Sequence, residues 1–218
     1  MPTLNKREMN VLTSTRLVAS RGQRIGLLGG SFNPAHEGHM HLSQLAFRHL
    51  RLDQIWWLVS PQNPLKASAG MASLEDRMSK ARAVAKHRRI SVTDIETQLG
   101  TQFTADTLQA LKKRFPGGHF VWLMGADNLA QIDQWKNWTS IFMTVPVAIF
   151  ARPTYSLRAE NAKAVRRFSR SRVDRSNAKR LADMKPPAWA FLKTPLSSIS
   201  ATEIRSRYRT GWAETLIK

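Results

Sequence analysis

The sequence predicts an α/β domain in which helices cover both faces of a central, mainly parallel sheet. Two observations support this fold class. From Arg24 onward, short apolar runs rich in branched and aromatic residues alternate with segments whose apolar residues recur every three or four positions. No internal repeat of the kind found in solenoids or propellers interrupts this alternation.

The elements can be placed in order along the chain. The predicted strands are residues 25–28, 54–60, 90–95, 119–124, 145–150 and 189–192. Helical spacing is present in residues 40–50, 74–85 and 105–111. A last helix begins near Ser200, which forms a capping box with Glu203, and it ends at Gly211. Ligands of such sheets bind beyond the carboxyl ends of the strands, so we expect the loops after the first and fourth strands to carry the site.

Composition restricts the class of protein. The 218 residues are 42% hydrophobic, which is enough for one core, and the absence of cysteine excludes disulfides and thiolate metal sites. No apolar run approaches the roughly 20 residues that cross a bilayer. Arg16 interrupts the apolar centre that a secretion signal would need. We expect a soluble cytoplasmic protein in which residues 23–218 form one domain. Residues 1–22 are interpreted as a disordered extension, with a targeting segment as the alternative.

The net charge of +19 predicts a strongly positive surface. Residues 158–185 hold 10 Lys or Arg against 3 Asp or Glu. We interpret the surrounding segment, 158–187, as a basic insertion that is a candidate for flexibility, with a nucleic-acid contact or a phosphate-steering surface as the alternative. A basic nucleic-acid-binding protein is therefore the alternative from another class. However, the segment matches no recognised binding motif and has no interleaved aromatic residue beyond Phe168.

The segment GGSFNPAHEGH follows the first strand directly and runs into the first helix. Gly29 and Gly30 allow the backbone to approach a bulky anion, and the amides near Ser31 and Phe32 can then face a phosphate. The segment matches neither the GxGxxG pattern of dinucleotide-binding loops nor the GxxxxGK pattern of P-loops. Hydride transfer and P-loop hydrolysis are therefore not favoured.

Two histidines, His36 and His39, lie at the entrance of the same helix. Unsatisfied amides and the helix dipole favour negative charge at this position, and imidazoles can donate hydrogen bonds to phosphate oxygens. The HExxH spacing of zinc sites is absent, and no third ligand is close in sequence. The pair therefore predicts catalytic phosphate contact and no resident metal.

Together with ISATEIRSR near the end of the chain, GSFNPAHEGH resembles the nucleotidyltransferase superfamily that carries an HxGH motif and a second phosphate motif close to ISSTxIR. The intervening segments FTADTL, GADN and ARP are similar to those of bacterial nicotinate mononucleotide adenylyltransferases. The resemblance extends from residue 25 to residue 209. It implies a Rossmann-like nucleotidyltransferase fold. It also implies transfer of AMP from ATP to nicotinic acid mononucleotide, which yields deamido-NAD and pyrophosphate.

The resemblance also assigns phosphate-binding residues. His36 and His39 would stabilise charge on the α-phosphate of ATP. The β- and γ-phosphates would be held by Arg205 and by the amides of the adjacent residues Ser200, Ala201 and Thr202. A capped helix start beside a guanidinium suits a leaving pyrophosphate, although Arg205 could instead be a solvated helix residue.

Further residues are assigned to the substrates. Lys66 in SPQNPLK resembles a basic residue that meets substrate phosphate. Thr104 resembles the residue that reads the nicotinate carboxylate, and Trp135 resembles the aromatic residue that stacks on the pyridine ring. Gly125 and Asp127 resemble a nucleotide-contacting turn. Core packing is the alternative for Trp135, and a helix cap is the alternative for Asp127.

The implied reaction needs no protein nucleophile, because the mononucleotide phosphate can attack the α-phosphorus of ATP in line. Mg²⁺ would bridge the ATP phosphates and be held mostly by nucleotide and water. Phosphopantetheine adenylyltransferase and nicotinamide mononucleotide adenylyltransferase are the alternatives within the superfamily. ATP and nicotinic acid mononucleotide are the expected partners. No membrane or nucleic-acid partner is expected, and a homo-oligomer is left open.

Overall fold

A computed structural model describes residues 17–61, 71–151 and 159–193. Six strands form one sheet in the order β3-β2-β1-β4-β5-β6, and all the pairings are parallel. The strands are β1 Arg24–Gly30, β2 Gln54–Val59, β3 Ile90–Thr93, β4 His119–Gly125, β5 Val147–Phe150 and β6 Trp189–Leu192. The predicted fold class is confirmed, and each predicted strand is present.

Helices connect the strands. They are α1 Glu37–Leu50, α2 Leu74–Val84, α3 Ile95–Leu99, α4 Thr104–Arg114, α5 Ala126–Leu129, α6 Trp138–Thr144 and α7 Lys163–Arg167. In the described part of the chain, three 3₁₀ helices cover Ile132–Gln134, Ser169–Ser171 and Arg175–Asp183. The predicted helix from Ser200 to Gly211 lies outside the described residues. Each helix in the described ranges is too short or too polar to span a bilayer.

Both faces of the sheet are buried. Trp56 and Leu58 of β2 pack on the face that α3, α4 and α6 cover, whereas their neighbours Trp57 and Val59 pack against α1 and α2. All four side chains are fully buried. This alternation explains why β2 reads as a continuous apolar run: a parallel strand covered on both sides has no solvent face.

The strand order fixes where a ligand can bind. β1 pairs with β2 on one side and with β4 on the other. The direction of winding therefore reverses between β1 and β4, whose carboxyl ends are Gly30 and Gly125. The turns after these two strands open on the same crevice, the usual ligand position in sheets of this order.

The basic segment contributes to the core. The ring of Phe168 stacks on that of Phe142 with centroids 4.7 Å apart, and Leu181 is fully buried. Trp189 Nε1 donates to the Phe168 carbonyl at 2.7 Å. The lysines and arginines of residues 159–187 are exposed. Apolar side chains thus attach this segment to the sheet, while its charged side chains face solvent. The flexibility of the segment and the division of the chain into an extension and one domain stay predictions.

Charged side chains are paired at the amino end of the sheet. Arg24 Nη2 lies 3.0 Å from Asp183 Oδ2, and His119 Nδ1 lies 3.0 Å from Asp183 Oδ1. The Arg24 amide also donates to Asp53 Oδ2 at 2.8 Å. The hydrogen bond from Arg24, assisted by His119, lowers the pKa of Asp183 against the opposing effect of burial. This exposed cluster connects the starts of β1 and β4 to the end of the 3₁₀ helix Arg175–Asp183.

Candidate active site

The core fixes the turn after β1. A Cβ atom at Gly29 would collide with the ring of Trp122, which is buried in β4. Glycine is required there by this close approach. Three residues later, Phe32 adopts a left-handed backbone conformation with φ 46°, and its side chain is buried. Of the residues predicted to contact phosphate, Gly29 and Gly30 therefore end β1 and Ser31 begins the turn, between a packed glycine and a buried Phe32 ring.

His36 and His39 are held in a reciprocal cap at the start of α1. His36 is the N-cap residue, and its Nδ1 accepts a hydrogen bond from the Gly38 amide at 3.1 Å. His39 Nδ1 accepts from the His36 amide at 3.2 Å. Two imidazoles thus replace the Ser and Glu of an ordinary capping box. Because an accepting nitrogen carries no proton, each neutral ring has its proton on Nε2, the nitrogen from which it can donate.

Aromatic packing restrains the His39 ring further. Its centroid lies 4.0 Å from that of His36, 4.6 Å from Phe32 and 5.9 Å from Trp57. Below it, Ser43 Oγ donates to the His39 carbonyl at 2.8 Å and accepts from Trp57 Nε1 at 2.9 Å. The Ser43 and Trp57 side chains are fully buried. The His39 side chain is therefore fixed in advance of any ligand, as an electrostatic catalyst requires.

Arg77 in α2 is a buried cation that the sequence analysis did not identify. It is 1% exposed, and its guanidinium donates only to backbone carbonyls among the described residues. The acceptors are Ser31 at 2.8 Å, Ser60 at 2.6 Å, Pro61 at 2.9 Å and Ala72 at 3.0 Å. Burial lowers the pKa of the guanidinium. Arg77 thus joins the turn after β1, the end of β2 and the residues before α2.

Glu96 in α3 is a second buried charge that was missed. Its Oε1 accepts from Thr107 Oγ1 at 3.1 Å, and it forms a side-chain hydrogen bond with Ser60. Burial raises the pKa of Glu96 to about 7, against the opposing effect of these two hydrogen bonds. Thr107 Oγ1 lies 2.9 Å from Thr101 Oγ1. Glu96 therefore connects the end of β2 to α4 and changes protonation state near neutral pH.

Of Arg77 and Glu96, only Arg77 could have been predicted from the sequence pattern. Arg77 lies three residues after Leu74 and four before Ala81, so it falls on the apolar stripe of α2. An arginine inside an apolar stripe indicates a buried, hydrogen-bonded cation. Glu96 shows no such pattern, because its burial depends on Thr107 and Ser60, which are distant in sequence.

The turn after β4 contains the other predicted nucleotide residues. Gly125 is the buried N-cap of α5, and Asp127 is the second residue of that helix. Asp127 is therefore not the capping residue. Asp127 lies beside the switch point, at the same end of the sheet as Gly30, and its contact with the nucleotide stays a prediction.

The two predicted nicotinate residues lie on segments that meet. Thr104 is the half-buried first residue of α4, and Trp135 is half-buried after the 3₁₀ helix Ile132–Gln134 and packs against the core. Lys136 Nζ lies 4.2 Å from the ring centroid of Phe103, the residue before Thr104. This contact brings the residue after Trp135 to the start of α4. Trp135 thus packs on the core and still keeps an accessible portion.

The remaining predicted site residues lie outside the described residues. They are Lys66, Ser200, Ala201, Thr202 and Arg205. The structure therefore places the histidine motif, while the second phosphate motif stays a prediction. Within the described ranges, no group of three or more His, Asp or Glu side chains is arranged to hold a metal ion.

Comparison with known proteins gives consistent results. The cytidylyltransferase-like family model matches residues 27–207. A protein of Parvibaculum lavamentivorans named "probable nicotinate-nucleotide adenylyltransferase" is 50% identical over 198 residues, which cover 91% of this chain and 98% of that protein. A protein of Cereibacter sphaeroides with the same name is 52% identical over 185 residues, which cover 85% of this chain and 98% of that protein.

A solved structure has a similar fold. It is Plasmodium falciparum nicotinic acid mononucleotide adenylyltransferase complexed with NaAD, with a TM-score of 0.62 at 19% identity. The match covers 84% of this chain and 83% of that chain. At this level of identity the likeness supports the fold, and the sequence relatives carry the family assignment.

Proposed function

Since the chain belongs to the cytidylyltransferase-like family and, within it, to the nicotinate-nucleotide adenylyltransferases, we propose that it transfers AMP from ATP to nicotinic acid mononucleotide. The products are deamido-NAD and pyrophosphate. The observation that carries this proposal is the reciprocal cap of His36 and His39, which fixes two Nε2–H donors beside a glycine turn at the switch point. That arrangement suits a phosphate that gains charge during transfer.

The chemistry is an in-line displacement at the α-phosphorus of ATP. A phosphate oxygen of the mononucleotide forms the new P–O bond while the bond to pyrophosphate breaks. His36 and His39 donate to the α-phosphate oxygens and stabilise the charge of the five-coordinate state, and the amides of the turn at Ser31 and Phe32 assist. Neither histidine needs to transfer a proton, because the attacking phosphate is already an anion. Positioning and electrostatics therefore supply the catalysis.

The nicotinate half of the substrate is proposed to bind near the start of α4. The N-terminus of this helix, at Thr104, offers backbone amides to a carboxylate, and Trp135 offers a ring face to the pyridine. The contact of Lys136 with Phe103 supports the nearness of these two segments. Gly125 and Asp127 are proposed to contact the nucleotide from the turn after β4.

The leaving pyrophosphate is assigned to the second phosphate motif. Arg205, with the amides of residues 200–202, would hold the β- and γ-phosphates, and Lys66 would meet substrate phosphate. ATP enters as its magnesium complex, in which the ion is coordinated by phosphate oxygens and water. We place the reaction in the cytoplasm, where the absence of cysteine is in keeping with a reducing environment.

A substrate comparison tests the proposal. The full-length protein is incubated with Mg·ATP and nicotinic acid mononucleotide, nicotinamide mononucleotide or phosphopantetheine, and pyrophosphate release is measured. We expect the highest kcat/KM with the nicotinic acid substrate. Faster turnover of phosphopantetheine would overturn the proposal, and faster turnover of the amide would reassign the enzyme to nicotinamide mononucleotide.

A pair of threonine variants sharpens that test. Thr104→Ala should reduce kcat/KM for the acid more than for the amide, because only the acid presents a carboxylate to α4. Thr97→Ala, at an exposed position of α3, is the matched control and should change neither. An equal loss for both mononucleotides in Thr104→Ala would remove Thr104 from the carboxylate site.

A further inference from the structure

Arg77 combines two properties that rarely occur together. Its guanidinium is buried and donates to four carbonyls, and no described carboxylate lies within ion-pair distance of it. Buried cations are ordinarily neutralised by a partner, because removing a charge from water is costly. Carbonyl dipoles satisfy the hydrogen bonds of Arg77 but leave its net charge in place. The positive charge therefore lies behind the turn where an anion is proposed to bind.

Arg77 also determines the direction of one peptide group. The Ser31 carbonyl points at Nη1 of Arg77, at 2.8 Å. The Ser31–Phe32 peptide bond is trans, so its N–H, which belongs to Phe32, points the opposite way from the carbonyl. The amide of Phe32 is thereby directed away from the guanidinium. The buried Phe32 ring, stacked on Trp57 with centroids 5.2 Å apart, prevents the peptide from turning over.

The same guanidinium fixes the turn relative to β2. It binds the Ser60 carbonyl at 2.6 Å, and the Ser60 amide donates to the Gly30 carbonyl at 2.9 Å. The ends of β1 and β2 are therefore connected both directly and through Arg77. Loss of the guanidinium would remove the hydrogen bond that orients the Ser31–Phe32 peptide and would leave four carbonyls without this donor.

We propose that Arg77 is a positioning residue for ATP: it directs the Phe32 amide toward a phosphate of the nucleotide and places behind that amide a positive charge that no described carboxylate neutralises. The inference rests on the proposed function, because it assumes that ATP is the nucleotide that binds at this turn. It goes beyond the histidine motif, because Arg77 lies on α2 and acts through the backbone of the turn. Arg77 does not itself touch the nucleotide.

The amide can be observed directly. The chain has 9 phenylalanines, so labelling with ¹⁵N-phenylalanine gives a simple amide spectrum, and Phe32→Leu identifies the resonance of residue 32 by its loss. We expect this resonance to move strongly when a non-hydrolysable ATP analogue is added to the wild-type protein. In Arg77→Met the same resonance should barely respond to the analogue. If the Phe32 amide resonance of the wild-type protein did not shift on addition of the ATP analogue, the proposal would be overturned.

Kinetics separate positioning from stability. We expect kcat/KM for ATP to fall about 10²-fold in Arg77→Met, the size of effect of losing one preorganised donor, with a smaller loss in Arg77→Lys. The KM for the mononucleotide should stay close to wild type. Met78→Ala destabilises the same helix from the core, and Arg89→Met removes an arginine that binds the Leu52 carbonyl at the opposite end of β2. Neither control should alter kcat/KM for ATP in folded protein.

A purely structural role predicts another result. Arg77→Met would then match Met78→Ala, with a lower melting temperature and unchanged kcat/KM per folded site, and this outcome would overturn the proposal. The NMR experiment needs no mononucleotide, so it is independent of the acceptor substrate. Failure to turn over nicotinic acid mononucleotide combined with a normal Phe32 response would count against the proposed function alone.

Discussion

The two ends of the sheet use charged residues in opposite ways. At the amino end, Asp183 forms an ion pair with Arg24 and a hydrogen bond with His119, and each of these side chains is 35 to 43% exposed. At the carboxyl end, Arg77 and Glu96 are 1% and 6% exposed, and each makes hydrogen bonds instead of ion pairs among the described residues. The same strands therefore have a solvated charge cluster at one end and desolvated charges at the other.

This difference supports the proposal that the reaction takes place at the carboxyl end of the sheet. Exposed ion pairs are screened by water and contribute little to stability, usually below about 1 kcal/mol. Buried charges that no opposite charge neutralises are costly to fold even when they are hydrogen-bonded, so Arg77 and Glu96, which form no ion pair with a described residue, indicate a requirement other than stability. The two histidines of the cap lie at the carboxyl end as well. Variants at the carboxyl end should consequently change activity or the pH dependence of stability. Variants at the amino end should have only a small effect on stability.

The largest effect is expected for His39→Ala. Removal of one preorganised donor should lower kcat about 10²- to 10³-fold, because the donor acts mainly on the transition state. His119→Ala, at the amino end, is the matched histidine control and should retain kcat. Steady-state pyrophosphate release measures both. Near-normal turnover of a correctly folded His39→Ala protein would contradict the role of the cap.

Glu96→Gln should change the pH dependence of stability. The pKa of Glu96 is raised from its ordinary 4.5 to about 7, so between these values the folded protein binds a proton that the unfolded chain has released. Stability is therefore lost as pH rises through this window and levels off above it. The variant should lack this loss, which amounts to on the order of 3 kcal/mol. Urea unfolding at pH 5 and pH 8 measures the effect, and parallel profiles for the two proteins would contradict it.

Ser43→Ala should destabilise the protein by about 1–2 kcal/mol, because it leaves the buried Nε1 of Trp57 without its acceptor. We also expect a lower kcat, since the bond from Ser43 to the His39 carbonyl is lost. Thr144→Val removes a hydroxyl that binds the Ser140 carbonyl of its own helix and serves as the control. Urea unfolding and turnover together test this. Unchanged stability would contradict the role of Ser43 as the acceptor that Trp57 requires.

The smallest effect is expected for Asp183→Asn. Its exposed pairs with Arg24 and His119 should contribute about 0.5 kcal/mol. Because Arg24 lowers the pKa of Asp183, this contribution is present at neutral pH and is lost as pH falls through the folded pKa. Turnover should not change. A large loss of activity would mean that the amino end influences the site and would remove the contrast between the two ends.

The sequence predicted what depends on local pattern. Each strand was found from its apolar run, and the fold and the family resemblance are confirmed. The histidine pair was found because glycine, proline and imidazole are close together in the chain. The reciprocal cap was not predicted, since His residues seldom replace Ser and Glu in that motif. The roles assigned to the site residues stay predictions.

Buried charges were missed because their burial is a tertiary property. Glu96 meets Ser60, more than thirty residues earlier in the chain, and no periodicity connects the two. Arg77 could have been found from its place on the apolar stripe of α2. Its acceptors could not, since a backbone carbonyl at Ser31 has no sequence signature. Sequence patterns identify groups that touch ligands more readily than groups that hold the backbone behind them.

The contact between Gly29 and Trp122 has a consequence for how relatives should be compared. Any side chain at position 29 would force the buried indole of Trp122 to shift, so selection for folding alone would favour glycine there. Invariance at this position across an alignment would thus be uninformative about nucleotide binding. Variation at Trp122 would be more informative, because a smaller residue in β4 would relieve the steric constraint and allow position 29 of β1 to diverge.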